Sequence, residues 1–210
     1  MLSSFAVRNH APRAVTVTAR QFLQSQNRSI MVGTNMQSSV ISLQQARPWS
    51  MSESNLAVDH AVTLKELFAA DKRVVLFGVP APFTGTCTLE HYPGYQKLAS
   101  TLQTDYNVDE IICYTVADPY AHHGWSLTLN NDPQQIRFLA DPDASFARAY
   151  GVDATYDDCS LGLRSQRFSM LVEKGTVVNF HVVDGDAAED APQMLQNVQE
   201  LQESLEDSST

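Results

Sequence analysis

Hydrophobic positions along the chain follow two periods. Arg73-Val74-Val75-Leu76-Phe77-Gly78-Val79 is a continuous apolar run closed by Pro80, the pattern of a strand buried on both faces. Glu110 to Val116 repeats that pattern, and Val40-Ile41-Ser42-Leu43 and Ile136 to Leu139 predict shorter strands. Arg167 to Glu173 and Thr176 to Val183 alternate apolar and polar around Lys174-Gly175, a hairpin signal. The other period is helical. Thr63 to Phe68 reads as a capped turn, with Thr63 as N-cap and Glu66 in the capping-box position. Leu89, Tyr92, Tyr95, Leu98 and Leu102 keep helical spacing across residues 87–104, where Pro93 predicts a bend. Asp118-Pro119 is an N-cap and first-turn proline opening a helix through Trp125, and Ser145 to Tyr150 is a short helix ended by Gly151. Met194, Leu195, Val198, Leu201 and Leu205 form one face of a last helix. Strands alternating with helices, then a hairpin and a helix, predict an α/β fold whose central mixed sheet is flanked by helices.

Composition narrows the class. The chain has 210 residues, 43% hydrophobic and 18% charged, enough for one domain with a buried core. No apolar run approaches the ~20 residues of a membrane span, so no membrane partner is expected. The net charge of -10 argues against nucleic acid. Three cysteines, none in a CxxC pair, exclude a disulfide scaffold and a dithiol motif. The charge is uneven. No acidic residue precedes Glu53, yet Arg8, Arg13, Arg20, Arg28 and Arg47 do, so the first 52 residues carry +5 and the rest -15. An arginine- and serine-bearing, acid-free start is the composition of an organelle transit peptide. We expect residues 1–30 to be such a peptide or a tail, 31–205 a single domain, and 206–210 a C-terminal tail. Mitochondrion is favoured as the compartment, with cytoplasm or plastid as alternatives.

The candidate chemistry lies where the first strong strand meets its helix, from Val79 to Gly94. A cysteine opening a helix at the carboxyl end of a buried strand meets unpaired N–H groups and the positive dipole end, which favour thiolate over thiol. Cys87 stands there. Pro80 and Pro82 stiffen the approach, and Thr84, three residues earlier, is expected to bring its hydroxyl to the sulfur.

Pro80, Thr84 and Cys87 reproduce the P-x-x-x-T-x-x-C signature of peroxiredoxins. Phe77-Gly78-Val79-Pro80, His91-Tyr92-Pro93-Gly94, Asp118-Pro119 with Trp125, Phe138-Leu139-Ala140-Asp141 and Arg164-Ser165-Gln166-Arg167-Phe168-Ser169-Met170 resemble the peroxiredoxin-5, or type II, subfamily. The resemblance runs from about residue 60 to 201 and agrees with an element order that fits a thioredoxin-like fold. It implies a thiol-dependent peroxidase acting on hydrogen peroxide and alkyl hydroperoxides through a Cys87 sulfenic acid, the first rung of thiol oxidation. It assigns the peroxidatic role to Cys87, thiolate and peroxide contacts to Thr84, loop geometry to Pro80, and charge stabilisation to Arg167. Ala81, Pro82 and Gly85 depart from the subfamily's usual residues.

The resemblance also implies how the enzyme is recycled. Asp184 to Asp190 has no cysteine where animal members carry their second one, so one-Cys behaviour is expected, with glutathione and glutaredoxin or thioredoxin as external reductant. Cys113, on a buried strand, is the candidate resolving cysteine, and a disulfide would need Cα atoms within ~7 Å. No cofactor or metal is implied, and a non-covalent homodimer is expected. Cys159, in an acidic loop, reads as a bystander, Arg164 as structural, and His122-His123 as a solvated helix face. Two further readings stand beside the enzyme: a redox relay that passes Cys87 oxidation to a partner, and a cysteine hydrolase using Cys87 with His91.

Overall fold

A computed structural model gives the structure of residues 30–208. Its strands are β1 (Ser42–Gln45), β2 (Ala61–Thr63), β3 (Arg73–Gly78), β4 (Glu110–Thr115), β5 (Arg137–Ala140), β6 (Asp153–Tyr156), β7 (Gly162–Ser165), β8 (Phe168–Glu173) and β9 (Thr176–Val182). Its α-helices are α1 (Leu64–Leu67), α2 (Tyr92–Thr104), α3 (Pro119–Thr128), α4 (Ser145–Ala149) and α5 (Asp190–Asp207). Seven strands form one sheet in the order β2-β1-β5-β4-β3-β8-β9, and β6 with β7 forms a separate hairpin. β3, β4 and β5 run parallel, while β1 with β5, β3 with β8, and β8 with β9 pair antiparallel. The sheet is therefore mixed and helix-flanked, as the sequence predicts, with the thioredoxin-like architecture.

The apolar run of β3 explains the layering. Val75, Phe77 and Val79 enter one core with Tyr95, Ala99 and Leu102 of α2, Trp125 of α3, and Ala191, Met194 and Val198 of α5. Val74 and Leu76 enter the opposite core with Leu64 and Leu67 of α1 and Phe146 of α4. Period-two alternation thus feeds two buried faces, which is why the run is continuous in sequence. Cys87 belongs to the α2–α5 side.

Capping signals are realised as read. Thr63 Oγ1 accepts from Glu66 N at 3.2 Å, and Asp118 Oδ1 accepts from Tyr120 N and Ala121 N. The β8–β9 turn places Lys174 and Gly175 at φ 51° and 79°, the left-handed pair of a tight hairpin. Several boundaries move. The first strand begins at Ser42 rather than Val40, because Ile41 turns its carbonyl to Leu64 N and leaves Val40 in solvent. The last helix continues to Asp207, beyond the expected start of the tail, as polar i, i+4 pairs such as Gln202 with Glu206 prolong it. The address read in residues 1–30 lies, except for Ile30, outside the described residues.

His122 is a correction. It is not on a solvated face but fully buried, three residues before Trp125 on the same side of α3, with its ring against Trp125 and Phe138. Its Nε2 donates to the Cys113 carbonyl at 3.1 Å, and Nδ1 has no partner. Burial, opposed by that hydrogen bond and by Asp118, pulls its pKa down to about 4. The unfolded chain takes a proton near pH 6.5 and the folded one resists until about pH 4. This residue's share of stability is therefore complete above pH 6.5 and is lost as pH falls from there to 4, at a cost on the order of 3 kcal/mol. Urea denaturation between pH 7 and 4 should show that loss in the wild type, and His122→Leu should flatten the slope by about that amount. An unchanged slope would mean that the ring is hydrated.

Candidate active site

Beyond β3 the backbone leaves the sheet under tight control. Val79 N donates to Tyr114 O at 2.9 Å, and Thr115 Oγ1 donates to Val79 O at 3.0 Å. Gly78 is required by packing, since a methyl there would stand inside the Phe168 ring. Pro80 is buried and leads into a turn in which Phe83 adopts φ 63° with its ring exposed. Thr84 then starts the helical stretch, its carbonyl accepting from Thr88 N at 3.0 Å. Cys87 follows in the first turn, 1% exposed.

The predicted bend takes a different form. Cys87–His91 is a π-turn, closed by Tyr92 N donating to Cys87 O, directly ahead of α2. Pro93 has no N–H for the carbonyl four residues back, and its ring needs room there, so the turn widens before the proline instead of kinking after it. Cys87 and His91, four residues apart at the two ends of this turn, are both buried.

Arg167 reaches this turn from the residue preceding β8. Its carbonyl accepts from Val183 N at 2.9 Å, fixing the backbone. One guanidinium nitrogen, Nη2, lies 3.5 Å from Cys87 Sγ, and the other, Nη1, lies 3.1 Å from His91 Nδ1. The structure therefore brings Cys87 and Arg167 together as the resemblance requires. His91 is fully buried, with Nε2 2.9 Å from Asp190 Oδ2. Burial pushes its pKa below the usual value, Asp190 pulls the other way, and Arg167 adds to the lowering, so the ring is neutral. A Cys87–His91 hydrolase dyad is not formed, because both ring nitrogens are engaged elsewhere.

Thr84 differs from expectation. Its Oγ1 donates to Ala81 O at 2.9 Å rather than to the sulfur. The hydroxyl proton is thereby committed to the loop, and the free lone pairs can accept a hydrogen from a bound molecule. Pro80 is buried at the start of this loop and has no N–H to donate. Arg164 donates to Val116 O at 2.7 Å and ties the β7 strand to the end of β4. Tyr156, at the end of β6, lies within electrostatic reach of both Arg167 and Cys87; burial, first, and Cys87 raise its pKa while Arg167 lowers it.

The other two thiols have opposite surroundings. Cys113 is fully buried in β4 between Phe77 of β3 and Phe138 of β5. Burial, reinforced by Cys87, pushes its thiol well up. Cys159 is exposed in a short turn between β6 and β7. All three cysteines are free. Among the described residues no group of His, Cys, Asp and Glu is placed to hold a metal ion, and no helix is long and apolar enough to cross a membrane.

Sequence reasoning missed the polar groups behind the site. Asp190, Tyr95 and Ser169 converge with His91 from α5, α2 and β8. Nothing in their spacing signals this, since they lie 21 to 95 residues apart. Asp190 reads only as the end of the cysteine-free stretch that starts at Asp184, and Tyr95 as one of the apolar positions of its helix.

Comparison with known proteins agrees with the geometry. The profile of the Redoxin family matches residues 44–197. Peroxiredoxin-2F, mitochondrial, of Arabidopsis thaliana is 33% identical over 180 residues, 84% of this chain and 87% of the relative. Peroxiredoxin-2B of the same plant is 40% identical over 113 residues, 53% of this chain and 68% of the relative. Among solved structures, reduced Prx3 from Vibrio vulnificus in complex with hydrogen peroxide superposes with a TM-score of 0.68 at 31% identity, covering 81% of this chain and 96% of that one.

The contrast between the thiols is testable. Brief treatment of the reduced, folded protein with iodoacetamide, followed by peptide mapping, should modify exposed Cys159 and leave Cys113 untouched until denaturant is added. Modification of Cys113 in the folded protein at the rate of Cys159 would show that β4 opens readily.

Proposed function

The chain belongs to the Redoxin family, as a type II peroxiredoxin and thus a thiol-dependent peroxidase, and we propose that it reduces hydrogen peroxide and small alkyl hydroperoxides at Cys87 by a one-Cys cycle. The observation that carries the site assignment is the Arg167 guanidinium 3.5 Å from the sulfur of Cys87, which is 1% exposed. The Cys87 sulfur attacks one peroxide oxygen and gives up two electrons. An S–O bond forms as the O–O bond breaks, and thiol plus hydroperoxide become sulfenic acid plus water or alcohol. Charge developing on the leaving oxygen meets the fixed Arg167 donors. Thr84, with its proton held by Ala81, accepts a hydrogen bond from the peroxide, and Pro80 holds the loop.

Recycling calls on an outside thiol. Cys113 lies in a central strand of the seven-stranded sheet, in the same core as Cys87, and burial keeps its thiol protonated, which disfavours its attack on an oxidised Cys87. No cysteine lies between Asp184 and Asp190. Glutathione with glutaredoxin, or thioredoxin, attacks the sulfenic sulfur, releases water as the mixed disulfide forms, and a second thiol frees Cys87. No bound cofactor takes part. Phe83 and Leu89, on either side of Cys87 in the chain, and Leu127 of α3 are exposed apolar side chains that support pairing with a second copy as a non-covalent homodimer. The acid-free start of the chain, together with the name of the mitochondrial plant relative, supports a mitochondrial address.

Two experiments test this reading. Reduced protein given one equivalent of hydrogen peroxide and a sulfenic-acid trap should gain one adduct by intact mass, on Cys87. The adduct should vanish in Cys87→Ser and form at least ~100-fold more slowly in Arg167→Ala. Loss of two hydrogens, with Cys87 linked to Cys113 or Cys159, would end the one-Cys cycle. Stoichiometric oxidation without turnover under any reductant would favour the redox relay. Separately, residues 1–52 fused to a fluorescent protein should carry it to mitochondria, and a diffuse signal would refute the address.

A further inference from the structure

Behind Arg167 lies a closed chain of buried polar groups that the signature does not include. Asp190 opens α5 and is 3% exposed. Its Oδ2 accepts from the Tyr95 hydroxyl at 2.6 Å and faces His91 Nε2 at 2.9 Å, while Oδ1 accepts from the Ser169 hydroxyl at 2.7 Å. Burial works to raise its pKa, but the hydrogen bonds from His91, Tyr95 and Ser169 outweigh it and hold the carboxyl below the usual range. Asp190 is therefore ionised and can only accept. On the far side of the imidazole, Arg167 Nη1 can only donate. Two independent constraints thus select one form of His91, neutral, with its proton on Nε2 and its lone pair on Nδ1.

We propose that Asp190 is a positioning residue for peroxide reduction: by taking the Nε2 proton of His91 it turns the bare Nδ1 toward Arg167, and Nδ1 holds the guanidinium against the Cys87 sulfur. This inference rests on the peroxidase reading of the site. In the other tautomer, or in protonated His91, an N–H would face Nη1 at 3.1 Å, and the guanidinium would lose an acceptor and meet a donor. The groups facing His91 are Asp190 of α5, Tyr95 of α2, Phe77 of β3 and Arg167 ahead of β8. Among them Asp190 is the acceptor that the Nε2 proton meets, and Arg167 favours the same tautomer from the Nδ1 side. Asn at this position keeps the shape but offers either an oxygen or an amide to the ring, so it no longer distinguishes the tautomers.

The test is a double-mutant cycle on the rate constant for Cys87 oxidation by hydrogen peroxide, in the full chain. Asp190→Asn should slow oxidation by about 10- to 100-fold, the usual scale for removing the partner that orients a histidine. Arg167→Ala should slow it further. In the Arg167→Ala background, Asp190→Asn should then change the rate by less than about twofold, because its route of action is gone. Equal slowing in both backgrounds would assign Asp190 to general support of the fold and overturn the proposal. Nitrogen-15 spectra of the wild type provide a check that needs no variant to fold and no peroxide. His91 should show a protonated Nε2 and a bare Nδ1, and the reverse pattern would overturn the proposal. A wild type that fails to react with peroxide yet shows the expected tautomer would remove the peroxidase reading while leaving the Asp190–His91–Arg167 linkage in place.

Discussion

The site depends on one guanidinium divided between two neighbours. Arg167 spends one nitrogen on His91 and the other on the sulfur of Cys87. A planar cation with several fixed donors can do both at once, whereas a lysine ammonium on a flexible stem would have to choose a single direction. Everything near the site serves that division. The Arg167 carbonyl is held by Val183, Phe168 packs against the backbone at Gly78, and the imidazole is held from behind by a carboxylate. A permanently positive group is tolerable there because Asp190 supplies the opposite charge across the ring.

The fold delivers its parts to this point from distant stretches of chain. β3 ends where the loop must turn away from the sheet, and buried residues on both its faces leave it no freedom to shift. The π-turn forms where Pro93 cannot complete an ordinary helical ladder, and it carries buried Cys87 and His91 at its two ends. The same proline that looks like a defect in helical periodicity therefore shapes the nucleophile's surroundings.

Much of this was legible in the sequence, for reasons that differ from part to part. β3, β4 and the last hairpin announce themselves because their hydrophobic runs are long and their turns use Pro80 and Lys174-Gly175. The junction bearing Cys87 is legible because two prolines and the threonine lie within the seven residues before it, directly after the strand. By contrast, β2 is three residues long and β6–β7 alternates only weakly, so neither gives a period to read. His122 beside His123 suggests solvent by composition alone, although Trp125 three residues on assigns it to the core. His91 and Tyr95 are one helical turn apart, but Asp190 and Ser169 meet them across as many as 99 residues with no spacing rule, so tertiary packing alone defines those contacts.

That long reach has a consequence for the chain before it is folded. The last group behind the nucleophile sits at position 190, 103 residues after Cys87 in the chain. Until that stretch has folded against the rest, Cys87 has neither helix terminus nor guanidinium beside it. It is then no more reactive than any free thiol in solution. The contacts behind the nucleophile are therefore complete only once the helix that carries Asp190 has docked.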